Sequence, residues 1–275
     1  MFDMGSTIFT RHWIGLTFAL STLVGLIMSP CHGPSSFAIS SAAAAEFSSA
    51  QKTEIQSIIK DYLIENPEIL RDALNELELR DRAAAANARA AVVADMSGPL
   101  YTSQQQSVVG NPDGKISLIE FFDYNCGYCK RALGDIAQLI KDNPDLRVVL
   151  KDLPILSPGS IEAARVAGAL RNQFKGEKFW AFHQKLLSSH GPVAKAQALA
   201  VAKDLGADMD KLEKDMASPD IVQGIAVTDR VAKELDINGT PSFVLGEEVV
   251  VGAVGRDELQ SKITNIRKCG KTTCS

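Results

Sequence analysis

Positive charge is scarce in this sequence. Its 29 lysines and arginines are outnumbered by 33 aspartates and glutamates, leaving a net charge of −4 over 275 residues. A chain without a basic excess lacks the electrostatic footprint of a nucleic-acid binder, so no nucleic acid is expected as a partner. Long apolar runs are scarce too. The best candidate, Trp13 to Met28, falls short of the ~20 residues that a membrane-spanning helix needs. Arg11 and His12 precede it, and small residues follow, ending Ala42-Ala43-Ala44-Ala45-Glu46. That pattern reads as a secretory signal segment over residues 1–45, cut after Ala45. A retained anchor is the alternative for the same run, and Pro30 argues against lipid attachment at Cys31. Cysteine is the third shortage, with five in the chain. Export places the protein where disulfides persist. Loss of Cys31 with the signal leaves Cys126, Cys129, Cys269 and Cys274, an even number that suits two pairs.

What is present is enough apolar material for one substantial core, at 45% of residues, and one stretch with evident chemistry. Ile116-Ser117-Leu118-Ile119-Glu120 reads as a buried strand, being short, apolar and β-branched. Arg131 to Ile140 reads as a helix, with apolar residues three and four apart. Between them lies Phe121-Phe122-Asp123-Tyr124-Asn125-Cys126-Gly127-Tyr128-Cys129-Lys130. A Cys-x-x-Cys pair therefore sits where a strand becomes a helix. The free N–H groups and dipole of a helix N-terminus favour an anion, and the thiolate is the nucleophile of disulfide exchange. Cys126, at the helix start, is expected to expose its sulfur and attack. Cys129, one turn in, is expected to be buried, protonated and resolving. Gly127 leaves room for a substrate chain, and Tyr128 supplies an aromatic wall without a cation.

Two other uses of such a pair fit less well. Structural zinc needs four ligands, and Cys269 and Cys274 have the wrong spacing for the second half of a zinc site. A papain-like nucleophile has small and aromatic residues where this chain has Tyr128 and Lys130, and His183 and His190 lie too near Cys129 in sequence.

Along the chain, residues 46–96 read as helix. Ile55, Ile58, Ile59, Tyr62 and Leu63 form one apolar stripe, and Asn66-Pro67-Glu68 opens a second helix carrying Ile69, Leu70, Ala73, Leu74 and Leu77. An alanine-rich run from Ala83 reads as a solvated spacer. The stripe either packs on its own catalytic domain or forms a self-association stalk. Ser97-Gly98-Pro99 breaks the helix. Strands follow near Ser107–Val109 and Arg147–Lys151, the latter completing a parallel βαβ unit. Residues 159–236 read as a helical insertion in or beside which His183 and His190 are packed or surface-exposed side chains more readily than ligands. Ser242 to Leu245 and Val249 to Val251 read as a hairpin, and Asp257 to Ile266 as a closing helix.

The order strand, Cys-x-x-Cys helix, strand, helical insertion, Thr-Pro, hairpin, helix resembles the thioredoxin-like fold over about residues 100–268. With the long insertion, the Cys126-Gly127-Tyr128-Cys129 motif and Gly239-Thr240-Pro241, it resembles the DsbA-like family of exported thiol:disulfide oxidoreductases. The expected fold is α/β, a thioredoxin-like catalytic domain at residues 97–275 preceded by the helical region 46–96. The resemblance implies a cis Pro241 facing Cys126, with the backbone of Thr240 open to an extended substrate. It implies that Glu120 is a buried acid that takes the proton of Cys129, with Lys151 as its ion partner; from the residues alone, Glu120 also reads as an exposed acid on an edge strand. Tyr62-Leu63-Ile64-Glu65-Asn66-Pro67-Glu68-Ile69-Leu70 resembles the N-terminal region of the suppressor-of-copper-sensitivity protein C subgroup, which implies oligomers, trimers among them, and a link to copper tolerance. The Gly-Tyr spacer and the Thr before Pro resemble those of disulfide isomerases. Cys269 and Cys274 have no counterpart and are expected to form a structural disulfide.

Together these imply a periplasmic disulfide isomerase or reductase without metal or cofactor. Its expected partners are exported proteins carrying thiols or disulfides, a membrane redox protein and further copies of itself. A disulfide-forming oxidase is one rival. A copper-handling protein using Cys126 and Cys129 as soft Cu(I) ligands is another. If residues 46–96 are a stalk, deleting residues 46–95 converts an oligomer into a monomer that still exchanges disulfides but isomerises poorly. Light scattering checks the first part, and an exported chain that is monomeric before deletion refutes it.

Overall fold

The computed structural model describes residues 46–274, so the expected signal segment over residues 1–45, with Cys31, lies outside the described residues. The chain divides into two units, residues 1–62 and 63–275. The described part of the first unit belongs to helix α1 (Ser49–Glu65), where Ile55, Ile58, Ile59 and Tyr62 are exposed.

The second unit continues with α2 (Pro67–Ala94), opened by Pro67 in the first turn and Glu68 at the positive end of the dipole. Ile69, Leu70, Leu74 and Leu77 of its apolar stripe are exposed, and only Val93 near its end is buried. Ser97-Gly98-Pro99 ends α2, as its composition demands, but Pro99 also starts a one-turn helix, α3 (Pro99–Thr102), that the pattern did not reveal. Leu100 and Tyr101 of α3 are buried, and the Tyr101 hydroxyl donates to the Val93 carbonyl at 2.9 Å. The breaker thus serves as the anchor of α2.

The remaining elements are β1 (Ser107–Gly110), β2 (Ile116–Phe122), α4 (Gly127–Asp142), β3 (Leu146–Asp152), α5 (Pro158–Leu170), α6 (Gly176–Leu187), α7 (Lys195–Asp204), α8 (Met209–Met216), α9 (Pro219–Glu234), β4 (Ser242–Leu245), β5 (Glu248–Val251) and α10 (Arg256–Cys269). Helix α8 was not legible as a separate helix: Leu212 is its one buried residue, and Asp208 caps it by accepting the Lys211 N–H at 2.9 Å. The strand order is β1-β3-β2-β4-β5. Strands β2 and β3 are parallel, joined by α4, and the other pairings are antiparallel. This is the thioredoxin-like architecture, with α5 to α9 inserted between β3 and β4.

Strand β2 is central and covered on both faces, which explains its nearly continuous apolar run. Leu118 and Phe122 point into the core built with α4, α5, α6 and α10. Ile119 and Phe121 point into a second core with Leu100, Tyr101, Val231 and Leu235. The insertion is tied to the sheet by a buried ion pair: Arg171, just after α5, meets Asp152 at the end of β3 and donates from Nε to Ser107 Oγ at 2.9 Å. Burial raises the Asp152 carboxyl, and the guanidinium offsets only part of that rise. Arg171→Met leaves a buried carboxylate without its cation and is expected to cost about 3–5 kcal/mol. Urea unfolding at neutral pH measures it, and a loss below about 1 kcal/mol would mean the pair does not hold the insertion.

Candidate active site

The turn between β2 and α4 is fixed before any sulfur chemistry begins. One Asp123 carboxylate oxygen accepts the Asn125 N–H at 2.8 Å and the other accepts the Leu156 N–H at 3.0 Å. The Cys126 N–H donates to the Asp123 carbonyl at 3.0 Å. Asn125 donates from Nδ2 to the Val193 carbonyl at 2.8 Å and to Ser160 Oγ at 3.0 Å, while its Oδ1 accepts the Val193 N–H at 2.7 Å. Sheet, turn and insertion are locked together through two short side chains.

Cys126 is the N-cap residue of α4, and its sulfur accepts the Cys129 N–H at 3.4 Å. Its thiol donates to the Thr240 carbonyl at 3.1 Å. The Thr240–Pro241 bond is cis. The expectation of an exposed Cys126 sulfur needs correction: the residue is only 5% exposed. The Thr240 carbonyl lies against it and closes one side. The approach is open at Gly127, where an added Cβ would meet nothing within 4 Å. Tyr128 is 59% exposed, and the Arg131 guanidinium lies 3.9 Å from its ring centroid. Tyr128 brings no cation of its own, but Arg131 sets one against the aromatic wall. Arg131 follows Tyr128 by three helical positions, which puts the two side chains on one face.

Cys129 is fully buried, and burial, with the nearby Glu120 adding to it, pushes its thiol up. Glu120 is 1% exposed, and burial pushes its carboxyl up to about 8. Its Oε1 has no hydrogen-bond partner among the described residues. The edge-strand reading of Glu120 fails because β2 is central. The Lys151 pairing fails for a reason of register. Glu120 pairs with Leu150 while Lys151 pairs with Phe121, so the two side chains stand on opposite faces of the sheet. Lys151 instead donates to the Pro99 carbonyl, and burial pulls its ammonium down to about 7.

His183 is buried, stacked on Trp180 and edge-on to Phe122, with Nδ1 3.5 Å from the Tyr124 hydroxyl. Burial pulls it down to about 3, so it stays neutral at physiological pH. Cys269 and Cys274 are joined as a disulfide, while Cys126 and Cys129 are free thiols. Among the described residues no cluster of three or more His, Cys, Asp or Glu is placed to hold a metal ion, and no helix is long and apolar enough to cross a membrane. Sequence reasoning gave no role to Asp123, Asn125 or Arg131. The Asp-x-Asn turn pattern and the i, i+3 spacing were the available signals.

Comparison with known proteins agrees with this geometry. The family described as DSBA-like thioredoxin domain matches residues 117–264, and the Copper resistance protein ScsC N-terminal domain matches residues 51–84. A thioredoxin-like oxidoreductase from Silicibacter pomeroyi DSS-3 is 38% identical with a TM-score of 0.58, covering 62% of this chain and 96% of that one. A linker-deleted mutant of ScsC from Proteus mirabilis is 26% identical with a TM-score of 0.61, covering 82% of this chain and 99% of that one. The thiol-disulfide exchange protein alpha-DsbA2 from Wolbachia pipientis is 28% identical with a TM-score of 0.60, covering 66% and 98%. Among curated proteins, a Na(+)/H(+) antiporter NhaA 1 from Salinispora arenicola is 26% identical over 166 residues, 58% of this chain. The match spans only 24% of that antiporter's length.

The buried Glu120 sets a pH dependence. Its folded-state value near 8 lies above the unfolded value of about 4.3. Its contribution to stability is therefore full below about pH 4.3 and is lost as pH rises through 8. Glu120→Gln is expected to be clearly more stable than the parent at pH 8.5 and close to it at pH 4, as measured by denaturant titration. An equal difference at both pH values would remove the assignment of a buried, proton-retaining carboxyl.

Proposed function

We propose that this chain, which belongs to the family of DSBA-like thioredoxin domains, is a thiol:disulfide oxidoreductase in which Cys126 is the nucleophile and Cys129 the resolving thiol. The observation that carries this reading is the placement of Cys126 at the N-terminus of α4, against the Thr240 carbonyl at 3.1 Å and in front of a fully buried Cys129. The Cys126 thiolate attacks one sulfur of a substrate disulfide, and the other substrate sulfur leaves as a thiolate. In the resulting mixed disulfide the substrate backbone runs beside Thr240 and Pro241, with Tyr128 against its side chains. Resolution follows one of two routes. The substrate's own thiolate attacks elsewhere and releases Cys126, which is isomerisation. Otherwise the ionised fraction of Glu120 takes the Cys129 proton, the Cys129 thiolate attacks Cys126 Sγ and the substrate thiolate leaves, which is reduction. Started from the Cys126–Cys129 disulfide, the same steps run backwards as oxidation.

We read the balance as favouring isomerase and reductase activity in the periplasm, with exported proteins as substrates and a membrane redox protein as electron donor. The match of residues 51–84 to the ScsC N-terminal domain and the exposed stripe of α2 support self-association through residues 46–96, with a trimer as the expected state. Copies joined in this way present several Cys126 thiols to one client at high effective concentration.

Refolding of a scrambled multi-disulfide substrate, set beside oxidation of the same substrate in reduced form, separates the directions. The parent chain is expected to rescue the scrambled substrate. Cys126→Ser should abolish both activities, and Cys129→Ser should accumulate a mixed disulfide at Cys126. A Cys126→Ser variant that retains exchange would overturn the assignment.

A further inference from the structure

The chain carries a second sulfur pair that this chemistry leaves unused. Cys269 is the last residue of α10 and is bonded to Cys274, five positions on. Gly270 ends the helix in the left-handed region, at φ 77°. Lys268, Cys269, Gly270 and Lys271 are all exposed. Thr272 is different. It is 4% exposed, its N–H and Oγ1 donate to the Glu247 carboxylate at 3.1 and 3.0 Å, and its carbonyl accepts Asn265 Nδ2 at 2.8 Å. Its methyl group packs on Gly246, where an added Cβ would sit 3.3 Å away. Gly246 and Glu247 form the β4–β5 turn, and β4 begins directly after Pro241. A small covalent ring therefore holds one threonine on the turn of the hairpin that begins at the active-site loop.

Three features set this ring apart from a simple stabilising crosslink. Closing so short a loop removes only about 2 kcal/mol of chain entropy. The Cys269 side is open to solvent and flanked by Lys268 and Lys271, and cations favour an approaching thiolate. Cys274 Sγ lies 3.6 Å from the Asn265 carbonyl at the negative end of α10. Once the bond is cut nothing covalent holds Cys274 at the helix end, and Thr272, two residues away, loses that constraint.

We propose that Cys269–Cys274 is a second exchange site, opened at Cys269 by a small anionic thiol, and that its opening frees the tail from the β4–β5 turn. The thiolate attacks Cys269 Sγ, the bond to Cys274 breaks, and Cys274 leaves as a thiolate that takes a proton from water. A second thiolate then attacks the small thiol's sulfur in the mixed disulfide and releases the Cys269 thiolate. Two thiols are oxidised to one small disulfide and one protein disulfide is reduced. No step uses Cys126 or Cys129.

The test uses the full chain with Cys126→Ser and Cys129→Ser, so that its outcome does not depend on the function proposed above. Reduced glutathione is the anionic probe and 2-mercaptoethanol the neutral one. Opening is followed by acid quenching, alkylation and mass spectrometry of the C-terminal peptide. The expected result is a glutathione adduct on Cys269, with amide exchange at Thr272 at least tenfold faster once the pair is open. Adding Lys268→Glu should slow opening by glutathione about threefold and leave the 2-mercaptoethanol rate within twofold. A pair that stays closed in the folded chain at millimolar glutathione overturns the proposal. So do an adduct on Cys274, equal slowing of both probes, or unchanged Thr272 exchange.

Discussion

Asn125 holds the active-site turn by making both hydrogen bonds that the Val193 backbone offers, and the rest of the site depends on that clamp. Val193 lies between α6 and α7, so the insertion is braced against the residue next to Cys126. Asp123 does the same towards the β3–α5 loop through the Leu156 N–H. With the turn fixed from two sides, Cys126 has one position at the start of α4, and the Thr240 carbonyl approaches it from the third side. A helix N-terminus stabilises an anion only within its first turn, so a displacement of an ångström or two would forfeit the effect. The turn's rigidity thus comes from hydrogen bonds of Asp123 and Asn125 to the backbone of neighbouring loops.

Behind that surface, the electrostatics are those of a dry interior. Glu120 and Cys129 are both buried, burial raises each, and the Glu120 charge adds to the rise at Cys129. The pair therefore keeps its protons until one group has reason to lose one. In the resting dithiol that favours a protonated Cys129. In the proposed mixed disulfide, Glu120 can take the Cys129 proton only through its ionised fraction, which grows as the pH approaches 8. Lys151 cannot take part. Register places it on the other face of the sheet, where it fastens α3 to β3 through the Pro99 carbonyl.

Much of this was legible in the sequence, and the misses share a physical cause. Strand β2, helix α4 and strand β3 declare themselves because each buries a long, regular apolar pattern. The β4–β5 hairpin is flanked by Pro241 and Gly252, which leave little choice. Helices α3 and α8 are hidden because each buries only one or two side chains, too few to set a period. The Cys126 sulfur was expected in the open because local sequence reports the helix start but not the Thr240 carbonyl arriving from 114 residues away. Register is likewise invisible locally, so Lys151 could be assigned to the right strand and the wrong face.

The β4–β5 hairpin is where these separate parts meet. Its first residue follows Pro241, its strand β4 pairs with β2 beside Glu120, and its turn receives Thr272 from the tail. A cavity of about 380 Å³ beside that turn is lined by Ala90, Val93 and Ala94 of α2, by Tyr101 of α3 and by Gly270 of the tail. The end of the long helix, the disulfide ring and the loop over Cys126 are thus all fastened to one short hairpin. Strand β5 is the sheet's edge, and β4 is paired on both sides, with β2 and β5. Strand β4 is laddered to β2, and the turn beyond it is held by Thr272, so whatever loosens the Thr272–Glu247 contact acts at the far end of the element that follows Thr240 and Pro241 beside Cys126.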